Sequence, residues 1–83
     1  MKMGKISKPQ YYDSIPEVPQ DFEGACAMLS QANSAIYYWR EEIKTIDRYQ
    51  YTLKHEADNF LNGWKAVKVK AEAVIATYQL RLL

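Results

Sequence analysis

The chain has almost none of the residues that staple a small protein or equip an active site. Cys26 is its only cysteine, so no intrachain disulfide can form and a zinc site would lack its usual thiolates. His55 is its only histidine. With Glu56 and Asn59 it would make an incomplete helical ligand set, short of the roughly four matched groups of a structural metal. There is no glycine-rich phosphate loop, nucleophile elbow or HExxH pattern. No metal, no cofactor and no enzymatic activity are therefore expected. Cys26, set among Ala25, Ala27 and Met28, reads as a small buried apolar residue. His55 beside Glu56 and Asp58, and Glu41-Glu42 before Lys44, read as solvated helix faces.

A strong overall charge is missing too. The formal net charge is +1, which argues against both a generally basic DNA binder and an acidic DNA mimic. Charge is segregated instead: Lys2, Lys5 and Lys8 near the start, Asp13, Glu17, Asp21 and Glu23 next, and Lys65, Lys68, Lys70 and Arg81 against Glu72 after Gly63. No apolar run approaches the ~18 residues of a membrane span. The basic start has no apolar segment behind it, and Lys2 excludes N-myristoylation. A cytoplasmic protein that does not enter membranes is expected.

Proline is absent after Pro19, and glycine between Gly24 and Gly63. What fills that interval is a heptad stripe: Phe22, Ala25, Leu29, Ala32, Ile36, Trp39, Ile43, Ile46, Leu53, Ala57 and Phe60, broken only at Gln50. Spacing that alternates between three and four places these residues on one side of a helix. Asn62-Gly63 is the strongest punctuation that follows, since glycine supplies the left-handed residue that ends helices. Beyond it Trp64, Val67, Ala71, Val74, Ile75, Tyr78 and Leu82 again share one face.

The pattern predicts an all-α protein. Residues 1–19, with Pro9, Pro16 and Pro19, form an extended N-terminal arm in which Tyr11, Tyr12, Ile15 and Val18 can lie along a helical groove. Residues 20–83 form the helical domain: a long helix from Phe22 to Leu61, then a shorter antiparallel one. Weak helix formers between Lys44 and Lys54 offer an alternative, a turn near Asp47–Thr52 that makes a three-helix bundle. An unbroken heptad frame through Trp64 and Tyr78 offers another, one long coiled coil.

In the favoured hairpin the first helix is ~60 Å long and the second ~30 Å. The short helix covers only the half from about Glu42 to Leu61, leaving Phe22 to Trp39 bare. Burying Leu29, Ile36 and Trp39 contributes about 1.5–3 kcal/mol each, so self-association is expected, an antiparallel dimer being favoured.

The group Tyr37, Tyr38 and Arg40 has the composition of a binding hot spot. With Tyr11, Tyr12, Leu29, Ile36 and Trp39 it forms the candidate protein-binding set. The chain reads as a non-enzymatic interaction module whose partner is another protein: an adaptor, an assembly subunit or an inhibitor. Its size resembles that of phage or mobile-element accessory proteins, an analogy alone. A nucleic-acid or nucleotide binder is the alternative, with exposed tyrosines for stacking and Lys65, Lys68 and Lys70 as candidate anion-binding residues. A homo-oligomeric structural coiled coil is the third reading.

Overall fold

The computed structural model describes residues 14–81, and within them the regular structure is helical. Helix α1 spans Phe22–Lys44 and helix α2 spans Tyr51–Arg81. The two pack against each other. Residues 1–13, which include most of the expected arm, and residues 82–83 lie outside the described part.

Asp21 caps α1. Its backbone is extended, and its carboxylate accepts the amide N–H of Gly24 at 2.7 Å, satisfying one of the donors that every helix start leaves unpaired. Glu23 adds negative charge at the positive end of the helix dipole. A Cβ on Gly24 would stand 2.7 Å from both the Asp21 carboxylate and Pro19 Cβ. Glycine is what lets the cap and the incoming chain sit this close.

The chain reverses over residues 45–50, which overlaps the alternative turn near Asp47–Thr52 and corrects the favoured break at Asn62-Gly63. The Thr45 hydroxyl donates to the Glu42 carbonyl at 2.7 Å, and the Thr45 amide donates to the same oxygen at 3.0 Å. These bonds satisfy a terminal carbonyl without a glycine cap. Asp47 and Gln50 then bind reciprocally: the Gln50 amide donates to the Asp47 carbonyl at 2.9 Å, and the Asp47 amide donates to Gln50 Oε1 at 3.0 Å. The Gln50 carbonyl accepts from Lys54, the first helical bond of α2. Gln50, the polar gap in the heptad stripe, is the residue that closes the turn.

Asn62-Gly63, by contrast, lies inside α2. Phe60 and Trp64 are one turn apart and both pack into the core, with Trp64 fully buried. A break between them would rotate one away from α1. The expected lengths are therefore reversed: α1 has 23 residues and α2 has 31.

With the turn at 45–50, the two halves of the heptad stripe fold onto each other. The Trp39 and Phe60 rings stack with centroids 5.1 Å apart, and Phe22 meets Tyr78 edge-to-face at 5.8 Å. These pairs fix an antiparallel register in which facing residue numbers total 99 near the turn and 100 at the far end. The buried residues are Ala25, Ala32, Ala35, Ile36 and Trp39 of α1 with Ala57, Trp64, Val67 and Ala71 of α2. Alanines let the helix backbones approach closely while the two tryptophans fill the remaining volume. The half from Phe22 to Trp39, expected to be bare, is covered by α2. Cys26, expected to be buried, is exposed.

The segment before α1 returns along the hairpin. Gln20 lies at Tyr78, whose hydroxyl donates to the Gln20 carbonyl at 2.9 Å. Val18 packs against the core, and Ile15 lies over Gly63, where an added Cβ would stand 2.7 Å from Ile15 Cδ1. Tyr78 and Gly63 are ~22 Å apart along α2, so the few residues between Ile15 and Gln20 must be nearly extended to reach both. Pro16 and Pro19 favour that geometry. Gly63 acts as a notch for the strap, not as a helix terminator.

Candidate functional site

The stripe that joins the helices leaves two flanks on the hairpin. The strap occupies one, along Gly63. The other is a groove of about 480 Å³ lined by Asn33, Ile36, Tyr37 and Arg40 of α1 and Lys65, Lys68, Val69 and Glu72 of α2. Lys65 is two residues from Gly63, hence about 200° round the helix from it.

This groove brings together residues that belong, by sequence alone, to two separate candidate surfaces. Tyr37 and Arg40 come from the protein-binding set, Lys65 and Lys68 from the anion-binding set. Tyr37 is 67% exposed and Val69 is 64% exposed, which gives the groove an apolar wall beside its cations. Arg40, Lys65 and Lys68 outnumber Glu72, the groove's acidic residue. On an open surface groove such an excess of one sign attracts a complementary partner and speeds its arrival.

The other expected site residues scatter. Ile36 and Trp39 are core residues; Ile36 contributes to the groove floor, whereas Trp39 does not line it. Leu29 is half-buried. Tyr38 is half-buried against the core and edge-on to Trp39, with centroids 5.1 Å apart, so adjacent Tyr37 and Tyr38 serve opposite flanks. Lys70 is one heptad from Gly63 and so falls on the strap's flank, away from Lys65 and Lys68. Tyr11 and Tyr12 lie outside the described residues.

Asn33, Val69 and Glu72 do not stand out in the sequence. The signal for them is the i, i+4, i+7 spacing of 33, 37 and 40, and of 65, 69 and 72. Seeing that those two rows share one groove requires knowing where the chain turns.

A hollow of about 570 Å³ lies on the strap's flank, near the turn, lined by Tyr38, Trp39, Glu42, Ile46, Leu53, Glu56, Ala57, Asn59 and Phe60. Among the described residues no cluster of histidine, cysteine or carboxylate side chains could hold a metal ion. Nor is any described helix long and apolar enough to cross a membrane. Comparison with protein-family models, curated proteins and solved structures finds no match.

Proposed function

We propose that this protein is a non-enzymatic, cytoplasmic interaction module, and that it grips an acidic segment of another protein in the groove between Tyr37 and Lys68. The observation that carries this reading is the convergence of Arg40, Lys65 and Lys68 beside the exposed Tyr37 and Val69. Arginine and tyrosine dominate binding hot spots, and the cations select a negatively charged ligand. The module acts as an adaptor or as an inhibitor covering a larger protein's surface.

Self-association through this groove is the weaker reading. A two-fold contact would set the same cations against each other, and like charges facing across an interface oppose binding. The sequence-based reason for a dimer is a bare Phe22–Trp39 half, and α2 packs over that half.

Nucleic acid is the second ligand class with an observation behind it, because three cations with an exposed tyrosine also suit phosphates and a base. Capture experiments with matched variants separate the readings. The protein reading expects one captured partner that is lost with Tyr37→Ala or with Lys65→Glu/Lys68→Glu, and kept with Tyr49→Ala at the turn. A gel shift with DNA or RNA that persists at ~150 mM salt and vanishes in the double lysine variant would overturn it in favour of nucleic acid.

A further inference from the structure

We propose that the acidic segment held by the groove is an amphipathic α-helix of the partner protein. It lies lengthwise between α1 and α2, carboxylates towards the turn, and completes a three-helix bundle. This rests on the groove being the binding surface, and adds the form, extent and polarity of the ligand.

The register of the hairpin sets the extent. Facing residue numbers total 99 to 100, so Arg40 lies level with about residue 60 of α2. From there to Glu72 the furrow covers about 12 residues of α2, or ~18 Å, a little over three helical turns. The cations are strung along the part nearer the turn. Lys65 lies ~7 Å beyond Arg40, and Lys68 ~4.5 Å beyond Lys65. Backbone positions spread over ~12 Å suit a row of carboxylates better than one compact anion. Acidic residues at i, i+4 and i+8 of a helix give such a row on one face.

The walls decide between a helix and an extended chain. Both walls are helices whose backbone groups are bonded internally, so they offer no edge to a strand. An extended ligand would lay its own N–H and C=O groups against Ile36 and Val69, whereas a helix satisfies them itself. The strap does lie extended on the other flank, but Pro16 and Pro19 have no N–H to satisfy. Apolar surface continues along the open flank. Leu80, 70% exposed, stands eleven residues after Val69, close to three turns along the same face.

The charges are free to act. Among the described residues Arg40, Lys65 and Lys68 enter no ion pair, and Glu72 is not bridged to Lys68. Glu72 closes the far end of the furrow with the opposite sign, so carboxylates of the ligand are drawn towards the turn and repelled from that end.

NMR titration of the isotope-labelled full chain with two blocked synthetic peptides tests this. The first has three heptads with leucine at a and d, glutamate at e and g in one half, and glutamine elsewhere. The repelling glutamates discourage it from pairing with itself. The second has the same composition, shuffled so that leucine has no helical period. The first is expected to shift amides of 33–40 and 65–72, to gain helix by circular dichroism on mixing, and to bind at least tenfold tighter than the second. Lys65→Glu/Lys68→Glu should weaken it about tenfold or more. A spin label on its glutamate-rich end should broaden Arg40 and Lys65 and spare Glu72. Equal binding of the shuffled peptide in the groove, or no gain of helix, would overturn the helix and leave the acidic-segment reading standing. Broadening at Glu72 in place of Arg40 would overturn the polarity. If neither peptide shifts the groove the inference fails, while capture with Tyr37→Ala still judges the groove separately. Shifts of the same residues on concentrating the protein alone would make a second copy the occupant and overturn it as well.

Discussion

Trp39 lies nearly parallel to Phe60, with ring planes 18° apart and centroids 5.1 Å apart, and this pair locks the register of the hairpin close to its turn. Truncating Phe60 removes the stacking face and leaves a void beside two core tryptophans. Phe60→Ala is expected to cost about 2–4 kcal/mol in urea unfolding. Tyr37→Ala, whose side chain stands in solvent in the groove, should stay within about 0.5 kcal/mol of the parent. If Tyr37→Ala costs as much as Phe60→Ala, the groove residue is part of the core and its assignment to binding fails.

Gly63 separates two opposing effects. Alanine in mid-helix is favoured over glycine by about 1 kcal/mol, but its Cβ would collide with the end of the Ile15 side chain. Gly63→Ala should therefore stabilise an Ile15→Ala background by about 0.5–1 kcal/mol, and the parent by less. A double-mutant cycle measures the difference. Equal gains in both backgrounds would show that Ile15 does not rest on Gly63.

The cap of α1 reverses the usual preference for alanine in helices. Gly24→Ala should destabilise by about 1–2 kcal/mol, because Pro19 Cβ and the Asp21 carboxylate each lie 2.7 Å from the added atom. Asp21→Ala should cost about 1 kcal/mol by losing the capping bond. Thermal melts of the two single variants check this, and a Gly24→Ala protein more stable than the parent would refute the cap geometry.

Much of the fold is legible in the sequence, because helical periodicity is carried by the residues themselves. Ala25, Ala32, Ile36, Trp39, Ala57, Trp64, Val67 and Ala71 all belong to the apolar stripe read from spacing, and all are buried. The position of the break is legible only in the weak helix formers that offer the alternative turn near Asp47–Thr52. The favoured break at Gly63 fails because that glycine signal arises from packing and not from chain reversal. Gly63 is small so that Ile15 can rest on it. The true turn is built from Thr45, Asp47 and Gln50, whose local hydrogen bonds do what a glycine cap would do. The displaced break also hides the site. With a break at Gly63, Lys65 and Lys68 pair with the end of the first helix, and Tyr37 stands ~30 Å away. Only the turn at 45–50 unites them in one groove.

The same turn can be undone. Gln50→Leu removes the side-chain half of the reciprocal bonds and fills the gap in the heptad frame, so the stripe runs unbroken from Phe22 to Tyr78. A strict heptad over that length favours an extended coiled coil between copies. Light scattering over a concentration series should show the Gln50→Leu variant shifted towards dimer relative to the parent. An unchanged mass would mean that the helix contacts, and not the turn, dictate the reversal.

The convergence of Tyr37 and Arg40 with Lys65 and Lys68 underlies the functional reading, and a spin label on native Cys26 tests it most directly. Cys26 is the chain's single cysteine and is exposed, so labelling leaves the core intact. In the antiparallel register it faces the neighbourhood of Val74. Paramagnetic broadening should fall on amides 71–78 and spare 51–56, and it should persist when the labelled protein is diluted into unlabelled protein and the isotope sits on the labelled chain. With a break at Gly63, Val74 would face residues near 51, ~37 Å from Cys26. Sharp amide signals throughout 71–78 would contradict the hairpin and the groove with it.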